Sequence, residues 1–187
     1  MIDMTKLLLY DLSGFLKNPD DVQYNVSAIK KAKIFIILFL VKVFIFLLLI
    51  YPLLILLNNI IDLQHRGELV EDSVFTLIAV SIIAPVTEEL FFRLVLRRQG
   101  LVAAIFSEQI WYKVFPWLCR ISIVGFAVIH LSNYNNSETL FYVLSPLIVL
   151  SHFITGCFIT FTRVRLCFLY GLLLHSLWNF SAYVLLS

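Results

Sequence analysis

Five long apolar segments dominate this sequence and restrict what the chain can fold into. They cover residues 34–57, 73–98, 116–131, 139–161 and 166–186. A helix crosses the hydrocarbon core of a bilayer with about 20 mostly apolar residues, and these segments approach or exceed that length. The chain is 61% hydrophobic and 14% charged, with a mean hydropathy of +0.95, which is too apolar for a soluble domain. The sequence therefore predicts an all-α, polytopic transmembrane helix bundle with about five spans plus interfacial helices.

The segment before the first span predicts a different environment. Residues 1–33 are interpreted as an N-terminal cytoplasmic or interfacial segment, and residues 34–187 as the transmembrane domain. The apolar run at the N-terminus is short, is broken by Asp11 and Gly14, and leads to no small-residue cleavage site, so an interfacial amphipathic helix is favoured over a signal peptide. Residues 101–115 are mixed in character and are interpreted as an interfacial or re-entrant helix. Pro52 predicts a kink in the first span.

The distribution of basic residues predicts the orientation. Lysines precede the first span, and arginines lie between spans two and three and between spans four and five. The two alternate loops, 58–72 and 132–139, hold one basic residue between them. Because cytoplasmic loops carry the excess of Lys and Arg, the N-terminus is expected inside. No basic stripe suggests nucleic acid, and the three cysteines predict free buried thiols rather than a disulfide framework.

Ionisable residues inside the predicted spans are the candidate functional residues. All six aspartates lie at or before Asp72, and the only glutamates within a span are Glu88 and Glu89. A charge at mid-bilayer costs about 2.5–3.5 kcal/mol, so such groups are expected to face the bundle interior and to pair with one another. The full set is Lys42, Glu88, Glu89, Arg93, His130, His152 and His175. Lys42 is expected to extend to the inner headgroups, and His152 has no neighbouring signal that would assign it a role.

Spacing predicts that three of these residues lie at one depth. Glu88, His130 and His175 each lie ten residues from an arginine at the basic edge, on three different spans. At about 1.5 Å per helical residue, each is about 15 Å from that edge. Glu89 and Arg93 are four residues apart and can form a buried ion pair, whereas Glu88 is rotated away by about 100°. His175 and Asn179 are also four apart and share a helix face.

Three short motifs, each on a separate predicted span, carry a family resemblance. They are E-E-x-x-x-R at 88–93, F-x-x-x-H at 126–130 and H-x-x-x-N at 175–179. In this order they are similar to the signature of the CPBP family of intramembrane proteases. That family includes the type II CAAX prenyl endopeptidases and bacterial bacteriocin-processing or self-immunity homologues. The resemblance covers a protease-like core at about 73–187, and the short chain is more similar to the bacterial members than to the prenyl endopeptidases, which have more helices.

The resemblance implies hydrolysis of a peptide bond by a catalytic set of Glu88, His130, His175 and Asn179. Glu88 and His130 would activate a water molecule, His175 and Asn179 would stabilise the oxyanion, and Glu89 with Arg93 would support the site. A carboxylate and two donors in a dry pocket suit this chemistry. No cofactor is expected; a zinc ion, if present, would be bound by Glu88, His130 and His175. The chain has no H-E-x-x-H motif, no intramembrane aspartate and no G-x-S-x-G setting.

Two further functions stay open at this stage. One is a non-catalytic immunity or binding protein that retains the polar cluster, and the other is a transporter or proton relay, against which the sequence shows no repeated halves. The expected partners are membrane lipids and a peptide or protein substrate at the membrane. The expected location is a bacterial plasma membrane.

Overall fold

The structure, a computed structural model, describes residues 2–66 and 74–186, and nearly all of the described chain is helical. In chain order the helices are α1 Ile2–Lys17, α2 Ala28–Ile61, α3 Val74–Arg93, α4 Leu101–Ile105, α5 Glu108–Ile129, α6 Thr139–Ile148, α7 Leu150–Arg165 and α8 Phe168–Leu186. Within the described residues, four helical stretches are long and apolar enough to cross a membrane: Ala28–Ile61, Val74–Arg93, Glu108–Asn133 and Thr139–Arg165. The all-α membrane bundle predicted from the sequence is confirmed.

The last helix completes the bundle. α8 has 19 residues, which corresponds to a length of about 28 Å and is close to the thickness of a bilayer core. It packs against α7, α3 and α2. The predicted span 166–186 therefore corresponds to one continuous helix in the structure.

Several predicted helix boundaries differ from the observed ones. The first span begins at Ala28 rather than at residue 34, with Ser27 as its N-cap. Residues 108–115, predicted as part of an interfacial or re-entrant helix, are instead the first two turns of α5, because Ser107 caps that helix and Glu108 lies in its first turn. Only α4 is a separate short helix. The start of the second predicted span, at residue 73, lies outside the described residues, and α3 ends at Arg93 rather than at residue 98.

Two prolines are accommodated by π-helical turns. The π segment Phe46–Ile50 lies just before Pro52 in α2, and the π segment Ala79–Ile83 lies just before Pro85 in α3. A proline lacks an N–H and its ring collides with the carbonyl four residues earlier, and a wider turn relieves both problems. The kink predicted at Pro52 thus takes the form of a π turn. The second π turn matters more for function, because it immediately precedes the two glutamates.

A polar layer lies between two apolar clusters. The larger cluster includes Leu38 of α2, Phe115 of α5 and Phe161 of α7, and the smaller one includes Leu57, Tyr134, Phe141 and Ile148. Along α2, α5 and α7, the residues between the two clusters include Lys42, His130 and His152, respectively. The ionisable side chains of different helices are therefore brought to a similar height in the bundle.

The N-terminal segment is fastened to one end of the bundle by Arg165. This side chain forms ion pairs with Asp11 at 3.0 Å and with Asp20 at 2.8 Å, and it donates to the carbonyl of Val22 at 2.9 Å. Burial raises the pKa of Asp11, but hydrogen bonds from Arg165 and Tyr24 outweigh that effect and hold the pKa below its ordinary value. The predicted N-terminal helix exists as α1, and its buried face, Leu8, Leu12 and Phe15, belongs to the larger apolar cluster.

Candidate active site

A fully buried ion pair forms the base of the site. Arg93 Nη1 donates to Glu89 Oε1 at 2.6 Å, and both side chains are 0% exposed. Arg93 Nε donates to Thr160 Oγ1 of α7 at 3.2 Å, and the guanidinium carbon lies 4.4 Å from the centroid of the Phe126 ring. The i, i+4 spacing in α3 makes the pair, as expected from the sequence. Because the guanidinium also contacts α5 and α7, the pair joins three helices.

His175 lies between the two glutamates. Its Nδ1 is 2.9 Å from Glu89 Oε1, and its Nε2 is 3.4 Å from Glu88 Oε2. The histidine is 1% exposed. Although Glu88 and Glu89 leave α3 in different directions, each reaches a different nitrogen of the same imidazole. α8 thus carries the residue that connects the two carboxylates.

Glu88 is the more accessible of the two glutamates. Its side chain is 27% exposed, compared with 0% for Glu89. Glu88 Oε2 is itself buried, and no residue in the described part of the chain forms a hydrogen bond with it. The 3.4 Å approach of His175 lacks hydrogen-bond alignment. Glu88 therefore presents an acceptor oxygen that a water molecule can use.

His130 is held by the backbone of its own helix. It follows the last residue of α5 and begins the 3₁₀ turn His130–Asn133. Its Nδ1 lies 2.6 Å from the carbonyl oxygen of Phe126. Since a carbonyl can only accept, Nδ1 carries the hydrogen, and Nε2 of the neutral ring is left as an acceptor.

Phe126 is the common contact of the charged and aromatic groups. The centroid of its ring lies 4.7 Å from that of His130 and 5.4 Å from that of His175. The same ring carries the Arg93 guanidinium on its face. The first residue of the F-x-x-x-H motif therefore contacts a member of each of the three motifs.

Asn179 is anchored to the π turn of α3. Its Nδ2 donates to the carbonyl oxygen of Val80 at 3.1 Å. A side-chain amide has two N–H hydrogens, so one of them is left for another acceptor. In this structure His175 and Asn179 are thus each tied to α3, His175 through Glu89 and Asn179 through Val80.

The structure adds residues that the sequence did not assign. The His152 ring stacks on His130, with centroids 3.9 Å apart and planes 24° apart. Lys42, expected to extend to the headgroups, is instead 2% exposed, and its Nζ lies 3.2 Å from the centroid of the Trp178 ring. That expectation is wrong because the side chain points into the bundle, where an aromatic face offsets part of the cost of burying the cation. For His152 and Lys42, the only signal in the sequence was that an ionisable side chain lies within a predicted span.

The residues suggested for zinc do not form a ligand set. Across the described ranges, 2–66 and 74–186, no three His, Cys, Asp or Glu side chains are grouped closely enough to hold a metal ion. Both ring nitrogens of His175 face carboxylates, and the His130 ring stacks on His152. The arrangement does not fit a zinc site of Glu88, His130 and His175, and no step is assigned to a metal.

These features define a class: an integral membrane helix bundle with a buried carboxylate–histidine site. A family model described as type II CAAX prenyl endopeptidase Rce1-like matches residues 70–181, which is more than half of the chain and includes all three motifs. The chain belongs to the Rce1-like type II CAAX prenyl endopeptidase family, and the resemblance to CPBP intramembrane proteases is confirmed. It is thus a membrane protease of the CAAX type in its general class, acting on peptide substrates. No curated protein and no solved structure matches the chain.

Proposed function

We propose that this chain is an endopeptidase that hydrolyses a peptide bond of a membrane-associated peptide or protein, with water activated by Glu88 and His130. The observation that carries the proposal is the position of His175 between two glutamates. Glu89 is locked to Arg93 and fully buried, whereas the Glu88 side chain is 27% exposed. Each glutamate has a buried oxygen, Oε2, without a hydrogen-bond partner in the described residues, so exposure is what distinguishes the reacting carboxylate from the supporting one. A supported carboxylate next to an open one is the arrangement that a general base requires.

Charge balance supports a shared proton in this cluster. Glu88, Glu89 and Arg93 together carry one surplus negative charge when all three are ionised. A single proton, held by Glu88 or by His175, makes the cluster neutral, and neutrality favours burial. The facing atoms, Glu88 Oε2 and His175 Nε2, are 3.4 Å apart, so the pair is treated as one titrating unit.

The proposed reaction begins with a water molecule on Glu88. Glu88 takes one proton while the water oxygen forms a bond to the scissile carbonyl carbon, and His130 Nε2 accepts the second water hydrogen to orient the attack. In this step the single proton of the cluster is on His175, so that Nδ1–H donates to Glu89 and Nε2–H donates to the resulting oxyanion. The second amide hydrogen of Asn179 donates to the same oxyanion. The C–N bond then breaks, and the proton on Glu88 passes to the leaving amine nitrogen. Every proton in this sequence comes from the water or from the neutral cluster.

The remaining contacts hold His175 and Asn179 in place before the oxyanion forms. Glu89 fixes the His175 ring in the way that the carboxylate of a catalytic triad orients its imidazole. The Val80 carbonyl fixes the Asn179 amide, so neither donor has to be ordered when the oxyanion forms. Removing one such donor typically reduces kcat by about 10²–10³-fold.

The proposed setting is the plasma membrane of a bacterium, with the N-terminus in the cytoplasm. The loops rich in Lys and Arg support this orientation. The site then lies within the bilayer, because the helical rise from Arg120 to His130 along α5 corresponds to about 15 Å from the cytoplasmic edge. Its substrate is a peptide that reaches this depth from the membrane.

The decisive experiment compares Glu88→Gln with Glu108→Gln, which makes the same change at an exposed glutamate of α5. Membranes containing either variant or the wild type are compared by peptidomics, and cleavage of the identified peptide is then measured with purified protein in lipid discs. Glu88→Gln is expected to lose at least about 100-fold in kcat, the lower end of general-base effects. Glu108→Gln is expected to match the wild type. Chelator treatment is expected to leave the wild-type rate unchanged.

Two outcomes would favour a different function, and a third would contradict the metal-free reaction. Full biological activity with Glu88→Gln would favour the non-catalytic immunity or binding protein. Ion flux through the wild type in proteoliposomes that is lost with Glu88→Gln would favour a transporter. Loss of the wild-type rate on chelation, with recovery by added zinc, would contradict the metal-free reaction.

A further inference from the structure

The stacked imidazoles of His130 and His152 are a feature that the proposed reaction does not use. Their centroids are 3.9 Å apart at 24°, closer and more nearly parallel than His65 and Tyr134, a half-stacked pair at 4.7 Å and 42°. His152 comes from α7, whereas His130 comes from α5. A buried ring nitrogen of His152, Nδ1, has no hydrogen-bond partner in the described part of the protein. Neither a sequence motif nor the family match singles this residue out.

The position of His130 explains why a second contact is needed. The residue lies where α5 changes into a 3₁₀ turn, and one hydrogen bond, Nδ1 to the Phe126 carbonyl, fixes only one point of its ring. Rotation about that contact would move Nε2, the atom that accepts from water. The Phe126 ring is tilted by 59° against His130 and restricts this rotation only in part. The nearly parallel ring of His152 restricts it further, because the His130 ring cannot turn without colliding with it.

The packing of α7 against α5 brings His152 to this position. Gly156 follows His152 by four residues and so lies on the same face of α7. A Cβ added at Gly156 would lie 3.3 Å from the Ile123 carbonyl oxygen and 3.4 Å from the Phe126 ring. The absence of a side chain lets the two helices approach closely one turn from His152. Val149, with φ −88° and ψ 6°, separates α6 from α7 just before the turn that carries His152.

We propose that His152 is a positioning residue for His130, because its ring, stacked on the His130 imidazole, holds that ring in the orientation in which Nε2 accepts from the attacking water. The proposal rests on the proposed function and names a further residue of the same site. His152 acts through the face of its ring. It touches neither the substrate nor the reacting atoms.

Three substitutions at His152 distinguish the contribution of the flat ring from that of its nitrogens. His152→Phe keeps a flat ring and removes both nitrogens. His152→Asn keeps a polar atom near the position of Nδ1 and removes the ring, and His152→Ala removes both features. His152→Phe is expected to retain kcat within about threefold, whereas His152→Asn and His152→Ala lose about 10- to 100-fold with KM unchanged, the effect typical of groups that orient a functional residue. His65→Ala, which breaks the ring contact of the exposed His65 with Tyr134, is the matched control and should match the wild type.

An activity-independent measurement tests the same geometry. The sequence has four histidines, so selective ¹⁵N labelling of histidine gives a spectrum simple enough to assign. In the wild type and in His152→Phe, the Nδ1–H of His130 should show slow exchange with water because its bond to Phe126 is held. In His152→Ala it should exchange faster, and unfolding curves show whether each variant is folded.

Three results would overturn the positioning role of His152. Loss of activity in folded His152→Phe with retention in His152→Asn would show that the nitrogen matters and would overturn the proposal, as would wild-type kcat in His152→Ala. Equal exchange at His130 in all variants would overturn it as well. If Glu88→Gln stays active while the exchange difference is seen, the proposed function has failed and the positioning of His130 by His152 still stands.

Discussion

At the scale of single residues, the two adjacent glutamates, Glu88 and Glu89, have different roles. Glu89 is fully buried, bonded to Arg93 and to His175, and its role is to hold other groups. Glu88, one residue earlier, is 27% exposed, and no described residue forms a hydrogen bond with its buried Oε2. A helix separates adjacent side chains by about 100°, so one turn of α3 can supply both a supporting and a reacting carboxylate.

The buried ion pair leads to a stability prediction. Arg93→Met leaves the Glu89 carboxylate without its cation in a fully buried position, and it should lower the free energy of unfolding by about 3–5 kcal/mol. The double variant Glu89→Gln, Arg93→Met removes both charges while the amide can still contact His175, and it should recover much of that loss. Unfolding curves in detergent measure both. Equal destabilisation by the single and double variants would show that the charge on Glu89 is not the cause.

At the scale of elements, the site is assembled from several helices, and the N-terminal segment is attached to them. The first 69 residues lie outside the family match, yet α2 contributes Lys42 beside Trp178, and the segment before α2 is fastened to Arg165. Asp21 extends the same attachment, because it pairs with Arg97 at 3.0 Å and accepts from the Trp111 indole at 3.0 Å. The N-terminal segment is therefore part of the folded unit rather than a loose extension.

The attachment of α1 should depend on acid pH. The pKa of Asp11 is lowered in the folded protein, so its contribution to stability is fully present above its ordinary value of about 3.9 and is lost as the pH falls through the lowered value. A spin label on Gly14→Cys, an exposed position with nothing within 4 Å of an added Cβ, reports the mobility of α1. Mobility should rise as the pH falls below about 4, where this contribution begins to be lost.

Asp11→Asn is the control for this titration. Without the carboxylate, the label should be more mobile at every pH, and the rise below about pH 4 should be smaller. The three native cysteines, replaced by alanine, do not interfere. The same pH dependence in Asp11→Asn would assign it to another group.

At the scale of the whole molecule, the two ends of the bundle have different chemistry. One end is closed by Arg165 and Arg97 with the N-terminal acids. The other is closed mainly by amide and backbone hydrogen bonds: Asn136 Oδ1 accepts from the Gln64 backbone N–H at 2.8 Å, and the Arg66 backbone N–H donates to the Asn133 carbonyl at 2.7 Å. The charged end is the one expected on the cytoplasmic side from the distribution of basic loops.

Labelling from outside the cell tests this orientation. A membrane-impermeant maleimide should react with Ser137→Cys, which is exposed in the loop before α6, and should not react with Gly14→Cys in intact cells. Permeabilised cells, in which both should react, provide the control. The reverse pattern would place the N-terminus outside and would overturn the expected orientation.

The sequence determined the bundle and the groups at its centre, because apolar length and intramembrane charge are local properties. The three motifs, the pairing of Glu89 with Arg93 and the hydrogen bond of His130 to Phe126 all follow from spacing within one helix. The family match confirms the class, and the catalytic roles of Glu88, His130, His175 and Asn179 stay predictions. Boundaries were less accurate, since Ser107 and the π turns extend or redirect helices that hydropathy alone ends elsewhere.

Only the tertiary structure decided which residue of one helix meets which residue of another. That His175 bridges both glutamates, that His152 stacks on His130, and that Lys42 turns inward to Trp178 depend on helix rotation and close approach, as at Gly156. Such contacts join positions between 22 (His130 and His152) and 136 (Lys42 and Trp178) residues apart. The hydrophobic pattern of each helix sets which face is apolar, and it does not specify its partner, because lipid and protein interior are equally apolar.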